Sequence, residues 1–236
     1  MKHFSIYVSI CTLIISLSAS AQKLQQTVST QDLHEKIVSA NKVQILDARG
    51  ASEYAVNHLH GAVQVSLNDS IALDNVIKSL DPNVLTITYS IGPGRSVSLA
   101  KKLKEKGFAQ VYYLPEGISG WVGAGYPIYS TAKQGEFSPK AFEQLLSNND
   151  IVFVDFASRH CPGCLKLQPT IDELKNKYEG KVKVVRVELD ENLDVVKTQS
   201  IKTLPTLRIY KHGKIAWEHR GKATKEQLEA EINNNL

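Results

Sequence analysis

The amino-acid sequence of 236 residues predicts an α/β protein with two domains. Over residues 27–130, short apolar runs alternate with helix-like stretches, which is typical of βαβ units and a parallel sheet. A polar stretch containing one glycine follows at 131–136, and a second block of strands and helices fills 137–236. We therefore predict domains at 22–130 and 137–236, joined by a linker at 131–136.

In the first block, the apolar runs 43–46, 84–89 and 111–114 are predicted strands. Residues 95–106 form a predicted helix, because their apolar side chains fall on one face and Gly107 follows as a stop signal. This alternation of strands and helices is the basis for the predicted parallel sheet.

The second block begins with a predicted helix at 139–146, because Ser138 is a good N-cap and Pro139 fits the first helical position. Apolar periodicity places the other elements. The predicted strands are 151–156, 182–189, 207–210 and 214–218, and the further helices are 162–178 and 225–233.

The first 21 residues have the pattern of a cleaved signal peptide. Lys2 opens the chain, residues 4–17 are mostly apolar, and Ala19-Ser20-Ala21 supplies the small residues of a cleavage site. We therefore expect export to a periplasmic or extracellular location, with no membrane span after cleavage. An uncleaved anchor is the alternative, although the apolar run is short for a bilayer.

The charge pattern argues against one class of partner. The formal net charge is +4, but the basic residues are scattered along the chain. They do not alternate with aromatic residues in a stripe, as they do in many nucleic-acid-binding proteins. We therefore expect no nucleic-acid partner.

Cleavage of the signal would leave two cysteines, Cys161 and Cys164, because Cys11 lies in the removed segment. A disulfide between them closes a loop too small to stabilise the fold much. The pair falls between a predicted strand and a predicted helix, where free N–H groups and the helix dipole favour a thiolate at Cys161. Cys164 can then resolve a mixed disulfide. His160 either favours that thiolate when protonated or is simply solvated.

Two cofactor sites could also use a Cys-x-x-C pair. A zinc site would need two more ligands, and the histidines of this chain are scattered. A c-type haem would need a histidine directly after the second cysteine, where Leu165 stands. We therefore expect no metal and no cofactor.

Residues 137–236 resemble the thioredoxin family. The matching features lie in one register along the chain: Val154-Asp155-Phe156, the pair Cys161 and Cys164, Pro169, Leu204-Pro205-Thr206, Gly213 and Gly221. The resemblance implies a thioredoxin fold and thiol–disulfide oxidoreductase activity on protein substrates.

The resemblance also implies roles for individual residues. Asp155 would be buried behind the resolving cysteine and would handle its proton, and Leu204 with a cis Pro205 would hold an extended substrate chain. From the residues alone, Asp155 could instead face water at a strand end, and Pro205 could be an ordinary turn.

Three positions depart from the thioredoxin pattern. His160 replaces a tryptophan, the dipeptide Pro162-Gly163 reverses the usual Gly-Pro, and Arg186 stands where many members have a lysine. Because arginine keeps its proton, Arg186 could tune Asp155 only by charge. These changes leave the redox direction open among reductase, oxidase and isomerase.

Residues 27–130 resemble the rhodanese family, which transfers sulfur through a cysteine persulfide. The matches are Leu46-Asp47-Ala48-Arg49, Glu53-Tyr54, His58-Leu59-His60-Gly61-Ala62, Gly117 to Trp121, and Gly125-Tyr126-Pro127. The resemblance implies a parallel-sheet domain of the rhodanese type ahead of the thioredoxin-like domain.

The active loop of that family is altered here. Ser90 stands where the family has its cysteine, at the start of a turn that ends at Arg95. A hydroxyl cannot carry a persulfide sulfur, so we predict no sulfurtransferase activity. The loop glycines, the next helix N-terminus and Arg95 could still hold an anion, or the loop could bind nothing.

Together these features predict an exported thiol–disulfide oxidoreductase that acts on protein thiols or disulfides with a further redox partner. The rhodanese-like domain would serve as an interaction module without catalytic activity. The alternatives are a partner-binding protein, in which the rhodanese-like domain binds an anion or a protein, and sulfur transfer with Cys161 in place of the missing thiol.

Overall fold

A computed structural model describes residues 26–39, 42–133 and 135–236, so the predicted signal peptide lies outside the described residues. Within these ranges, no helix is both long enough and apolar enough to cross a membrane. The elements run in the order β1 (Gln26–Thr27), α1 (Thr30–Val38), β2 (Val43–Asp47), α2 (Ala51–Val56), β3 (Asn57–Leu59), β4 (Ala62–Gln64), α3 (Ser70–Ser79), β5 (Leu85–Tyr89), α4 (Pro93–Glu105), β6 (Val111–Tyr113), α5 (Gly117–Gly123), β7 (Ile128–Ser130), α6 (Pro139–Ser147), β8 (Ile151–Ala157), α7 (Pro162–Lys177), β9 (Lys183–Glu188), α8 (Leu193–Thr198), β10 (Thr206–Lys211), β11 (Lys214–Arg220) and α9 (Lys225–Asn235).

The N-terminal half is built on a five-stranded sheet in the order β1-β6-β5-β2-β4. Its pairings are all parallel, which confirms the prediction from the alternating strands and helices. A separate antiparallel ribbon pairs β3 with β7. Strands of three residues are too short to show an apolar period, and the sequence did not predict this ribbon.

The C-terminal half is built on a four-stranded mixed sheet in the order β11-β10-β8-β9. The β8 and β9 strands run parallel, while β10 is antiparallel to both of its neighbours. In this register Asp155 on β8 lies opposite Arg186 on β9. The sheet therefore places the predicted proton carrier next to the predicted tuning residue.

The helix that follows the predicted linker begins as expected. Ser138 caps α6, and its Oγ accepts the backbone N–H of Ala141 at 3.1 Å. Pro139 occupies the first turn, where its missing N–H costs no hydrogen bond.

The two halves share one apolar core. A single cluster of buried side chains includes Ile87 and Trp121 from the first half and Phe142, Val154 and Cys164 from the second. The two cysteines therefore lie in or beside a core to which both halves contribute.

The predicted linker is fixed to the second half by hydrogen bonds. The backbone N–H of Gly135 donates to the Glu191 carbonyl at 2.6 Å, and the N–H of Phe137 donates to Asn192 Oδ1 at 2.9 Å. These bonds bind the connection between the halves to the segment that follows β9.

Candidate active site

Cys161 and Cys164 form a disulfide at the start of α7, with their Cα atoms 5.2 Å apart. Cys161 is the N-cap of the helix, and its Sγ accepts the backbone N–H of Cys164 at 3.2 Å. Cys161 is 5% exposed and Cys164 is fully buried. The more exposed of the two cysteines is therefore also the one whose sulfur receives a hydrogen bond from the helix N-terminus.

Pro205 lies near Gly163, which stands between the two cysteines in the sequence, and the Leu204–Pro205 peptide bond is cis. A Cβ added to Gly163 would lie 3.4 Å from Pro205 Cδ and 3.9 Å from Cys161 Sγ. Pro205 is buried and Leu204 is partly exposed. The two residues predicted to hold a substrate chain therefore lie beside the redox pair.

Asp155 is fully buried, so the alternative of a water-facing carboxyl is wrong. Its Oδ2 lies 3.4 Å from Arg186 Nη1, and its Oδ1 has no hydrogen-bond partner among the described residues. Burial raises the pKa of Asp155 to about 7; Arg186 opposes this rise, while Glu188 and Asp172 add to it. A carboxyl in this state can exchange a proton near neutral pH.

His160 lines a cavity of about 420 Å³ between the two halves. The cavity is lined by residues of both halves and of the connection between them: Val56, Thr131, Ala132, Lys133, Gly135, Arg159, His160, Asp190 and Glu191. Arg159 forms an ion pair with Glu191 on the wall of this cavity. The partly buried His160 side chain thus shares a cavity with charged side chains of both signs.

Sequence reasoning missed Ser158 and Asp190, which are both buried beside the redox loop. Ser158 Oγ donates to Asp190 Oδ2 at 3.2 Å. Each residue follows the end of a strand, β8 or β9, and the carboxyl ends of neighbouring parallel strands lie at one edge of a sheet. That rule could have brought the pair together from the sequence.

Asn57 was also missed, and it comes from the other half of the chain. Its Nδ2 donates to Asp190 Oδ1 at 2.8 Å, and its side chain is fully buried. The two residues are 133 positions apart, and no sequence pattern links them.

The altered loop of the N-terminal half is closed on itself. Ser90 is buried, and its hydroxyl donates to the Gly92 carbonyl. Arg95 is held by Glu53 in a two-pronged ion pair, with Nη1–Oε2 at 2.6 Å and Nη2–Oε1 at 3.0 Å. Burial alone would raise the pKa of Glu53, but the Arg95 guanidinium holds this pKa below its ordinary value. Arg95, the cation expected to assist in binding an anion, is therefore already paired with Glu53.

Comparison with known proteins assigns a family to each half. The sequence model of the Thioredoxin family matches residues 133–234, and that of the Rhodanese-like domain matches residues 29–124. A solved structure of Plasmodium falciparum thioredoxin matches with 28% identity and a TM-score of 0.39, over 44% of this chain and 98% of that chain.

Individual curated proteins give the same family. The chain is 39% identical over 79 residues to Thioredoxin 1 of Nostoc sp., a match covering 33% of this chain and 74% of that protein. It is 35% identical over 98 residues to thioredoxin of Rickettsia bellii, covering 41% of this chain and 93% of that protein. The chain therefore belongs to the thioredoxin family, and its residues 29–124 form a Rhodanese-like domain.

Proposed function

We propose that the protein is an exported thiol–disulfide oxidoreductase that works through Cys161 and Cys164. Thioredoxin relatives support thiol–disulfide oxidoreductase activity in general. The observation that carries the finer assignment is the Cys164 N–H directed at Cys161 Sγ from the start of α7. After reduction, the same donor and the helix dipole stabilise a sulfur anion at Cys161.

In the reducing direction, the Cys161 thiolate attacks a substrate disulfide. A mixed disulfide forms, and the first substrate sulfur leaves as a thiolate. Cys164 then gives its proton to Asp155 and attacks Cys161 Sγ, which releases the second substrate thiolate. The substrate gains two electrons and the protein becomes the disulfide. The oxidising direction is the reverse of these steps.

Leu204 and Pro205 are proposed to hold the substrate as an extended chain. The position of Pro205 near Gly163, between the two cysteines, supports this role, because backbone pairing at that point would bring a substrate sulfur towards Cys161. Arg186 and His160 are proposed as supporting residues, through the charge beside Asp155 and at the cleft beside Cys161.

We propose that the Rhodanese-like domain transfers no sulfur. The Ser90 hydroxyl at the altered position is bound to the Gly92 carbonyl and has no sulfur to form a persulfide. Purified protein should show no thiosulfate:cyanide activity, and measurable turnover would contradict this proposal. A partner-binding role for the domain stays a prediction.

The oxidoreductase assignment is tested by reduction of insulin disulfides in the presence of dithiothreitol. Wild type should accelerate the reaction, Cys161→Ser should abolish the acceleration, and Cys164→Ser should accumulate a covalent complex with substrate because it cannot resolve. Acceleration that survives in Cys161→Ser would reject the proposal.

Export is tested on the full-length precursor produced in a bacterial host with a secretion pathway. Mass spectrometry of the product outside the cytoplasm should find a mature chain that begins at Gln22. A precursor that keeps residues 1–21 and stays with the cells would reject this part of the proposal.

A further inference from the structure

A line of buried polar groups runs from the Rhodanese-like sheet towards the redox site. Asp47, at the end of β2, accepts from Arg49, with Oδ2–Nη2 at 2.6 Å. Arg49 Nη1 donates to Asn57 Oδ1 at 3.1 Å, and Asn57 Nδ2 donates to Asp190 Oδ1 at 2.8 Å. All four side chains are less than one-tenth exposed. The line crosses from one half of the chain to the other at Asn57.

Ser158 connects this line to the nucleophile. Its Oγ donates to Asp190 Oδ2 at 3.2 Å and accepts the backbone N–H of His160 at 3.1 Å. The Ser158 carbonyl accepts the backbone N–H of Cys161 at 3.0 Å. One serine therefore holds the backbone of two consecutive residues, and Asp190 orients its side chain.

The charges along the line explain why Asn57 matters. Burial alone would lower the pKa of Arg49, but the Asp47 carboxylate raises it above its ordinary value. The charges of Asp47 and Arg49 therefore neutralise each other. Asp190 has no such cation in the line, and its Oδ1 depends on the Asn57 amide. A buried acceptor that loses its donor carries a substantial free-energy cost.

We propose that Asn57 and Asp190 are positioning residues of the Cys161 site, through which the Rhodanese-like domain holds the turn that carries the nucleophile. This inference rests on the proposed function and adds a role for the N-terminal domain. Without the Asn57 amide, Asp190 loses a donor and its hold on Ser158 weakens. A looser turn and a less compensated carboxylate both disfavour a sulfur anion at Cys161.

The test uses full-length protein and the variants Asn57→Ala, Ser158→Ala and the double variant. Asn57→Ala should slow iodoacetamide alkylation of reduced Cys161 at neutral pH by roughly three- to tenfold. It should also make the Cys161–Cys164 reduction potential more negative, because the reduced form is destabilised. Ser158→Ala should act in the same direction, and the double variant should differ little from the stronger single variant.

Gln44→Ala is the matched control. Gln44 donates to the Asp81 carbonyl at 3.0 Å and to Thr86 Oγ1 at 2.8 Å, both inside the Rhodanese-like domain. It should leave the alkylation rate and the potential unchanged. An equal change in Gln44→Ala would mean general loosening of the domain and would overturn the proposal.

Unchanged alkylation and potential in folded Asn57→Ala, or additive effects in the double variant, would also overturn it. If Asn57→Ala does not fold, Ser158→Ala decides, and a wild-type rate in that variant counts against the inference. Failure of wild type to reduce insulin would reject the proposed function instead. The alkylation rates would still report on the positioning role.

Discussion

Asp155 lies on β8 with one carboxylate oxygen 3.4 Å from Arg186 and the other without a hydrogen-bond partner in the described chain. Arginine keeps its charge at any working pH, so it cannot exchange a proton with this carboxyl. In the proposed cycle, the pKa of about 7 would let Asp155 accept a proton from Cys164 and release it later.

The same raised pKa has a consequence for stability. Because the pKa of Asp155 rises from 3.8 in the unfolded chain to about 7 in the fold, stability falls as pH rises from about 4 to about 7 and then levels off. The substitution Asp155→Asn should remove this loss of stability with rising pH. Relative to wild type, the oxidised variant should gain little at pH 4 and up to roughly 4 kcal/mol at pH 8, at about 1.4 kcal/mol per pKa unit.

Denaturant unfolding at pH 4, 6 and 8 measures this gain. Asp194→Asn makes the same charge change at an exposed position that does not contribute to the pKa of Asp155, and it should show no comparable pH dependence. A gain for Asp155→Asn that is equal at all three pH values would contradict the assignment. Turnover of Asp155→Asn should fall in the insulin assay, because the proton acceptor is lost.

At the scale of single residues, the sequence predicts those residues that belong to a local motif. Asp155 is buried on β8, and Pro205 lies near Gly163 between the two cysteines, which fits their register with thioredoxins; their roles stay predictions. The contact between Asn57 and Asp190 could not be predicted, because it joins positions 133 apart and depends on how the two halves pack.

Among the elements, α5 is the least helix-like in sequence and lies at the contact between the halves. It contains Gly117, Gly120 and Gly123, which lower helix propensity, and the sequence did not predict it. All seven of its residues are buried. Burial therefore stabilises a helix that its own composition disfavours, whereas α7 and the longer strands follow readable apolar periods.

The contact of α5 with the segment before Leu204 depends on a missing side chain. A Cβ on Gly123 would lie 2.1 Å from the Ile201 carbonyl oxygen, and Ser119 Oγ lies 3.3 Å from the Lys202 carbonyl oxygen. Since Pro205 follows this segment closely, the position of α5 bears on the proposed substrate-binding loop.

Gly123→Ala should therefore displace the backbone around Ile201. We expect a loss of roughly 1–3 kcal/mol in stability from overpacking, together with a higher KM for a protein disulfide substrate. Gly94→Ala is the control, because no atom lies within 4 Å of a Cβ added there. Unfolding curves and insulin-reduction kinetics measure both effects, and a KM equal to wild type in Gly123→Ala would argue against coupling to the loop.

On the scale of the whole molecule, the shared apolar core implies that the halves unfold together. The cluster that contains Trp121 also contains Phe142 and Cys164, so opening either half exposes apolar surface of the other. The alternation of predicted strands and helices along the sequence indicated both domains. Apolar patterning alone does not reveal which faces of the two domains meet.

Unfolding can be followed separately in each half, because the chain has two tryptophans, Trp121 and Trp217. Trp217→Phe leaves a reporter in the first half, and Trp121→Phe leaves one in the second. In each variant, fluorescence and far-UV circular dichroism should give one coincident transition. Fluorescence midpoints that differ from the circular dichroism midpoint of the same variant would show that the halves unfold independently.

The anchored connection between the halves also limits how electrons can travel. Gly135 and Phe137 are hydrogen-bonded to the chain after β9. We therefore expect the two cysteines to stay in one place, and not to be carried from one partner to the other by a domain movement. In the proposed cycle, the oxidised and the reduced partner would each bind at Cys161 and leave before the other arrives. The two partners would then compete for a single binding site. The kinetics should be of the ping-pong type, with inhibition when either partner is in large excess.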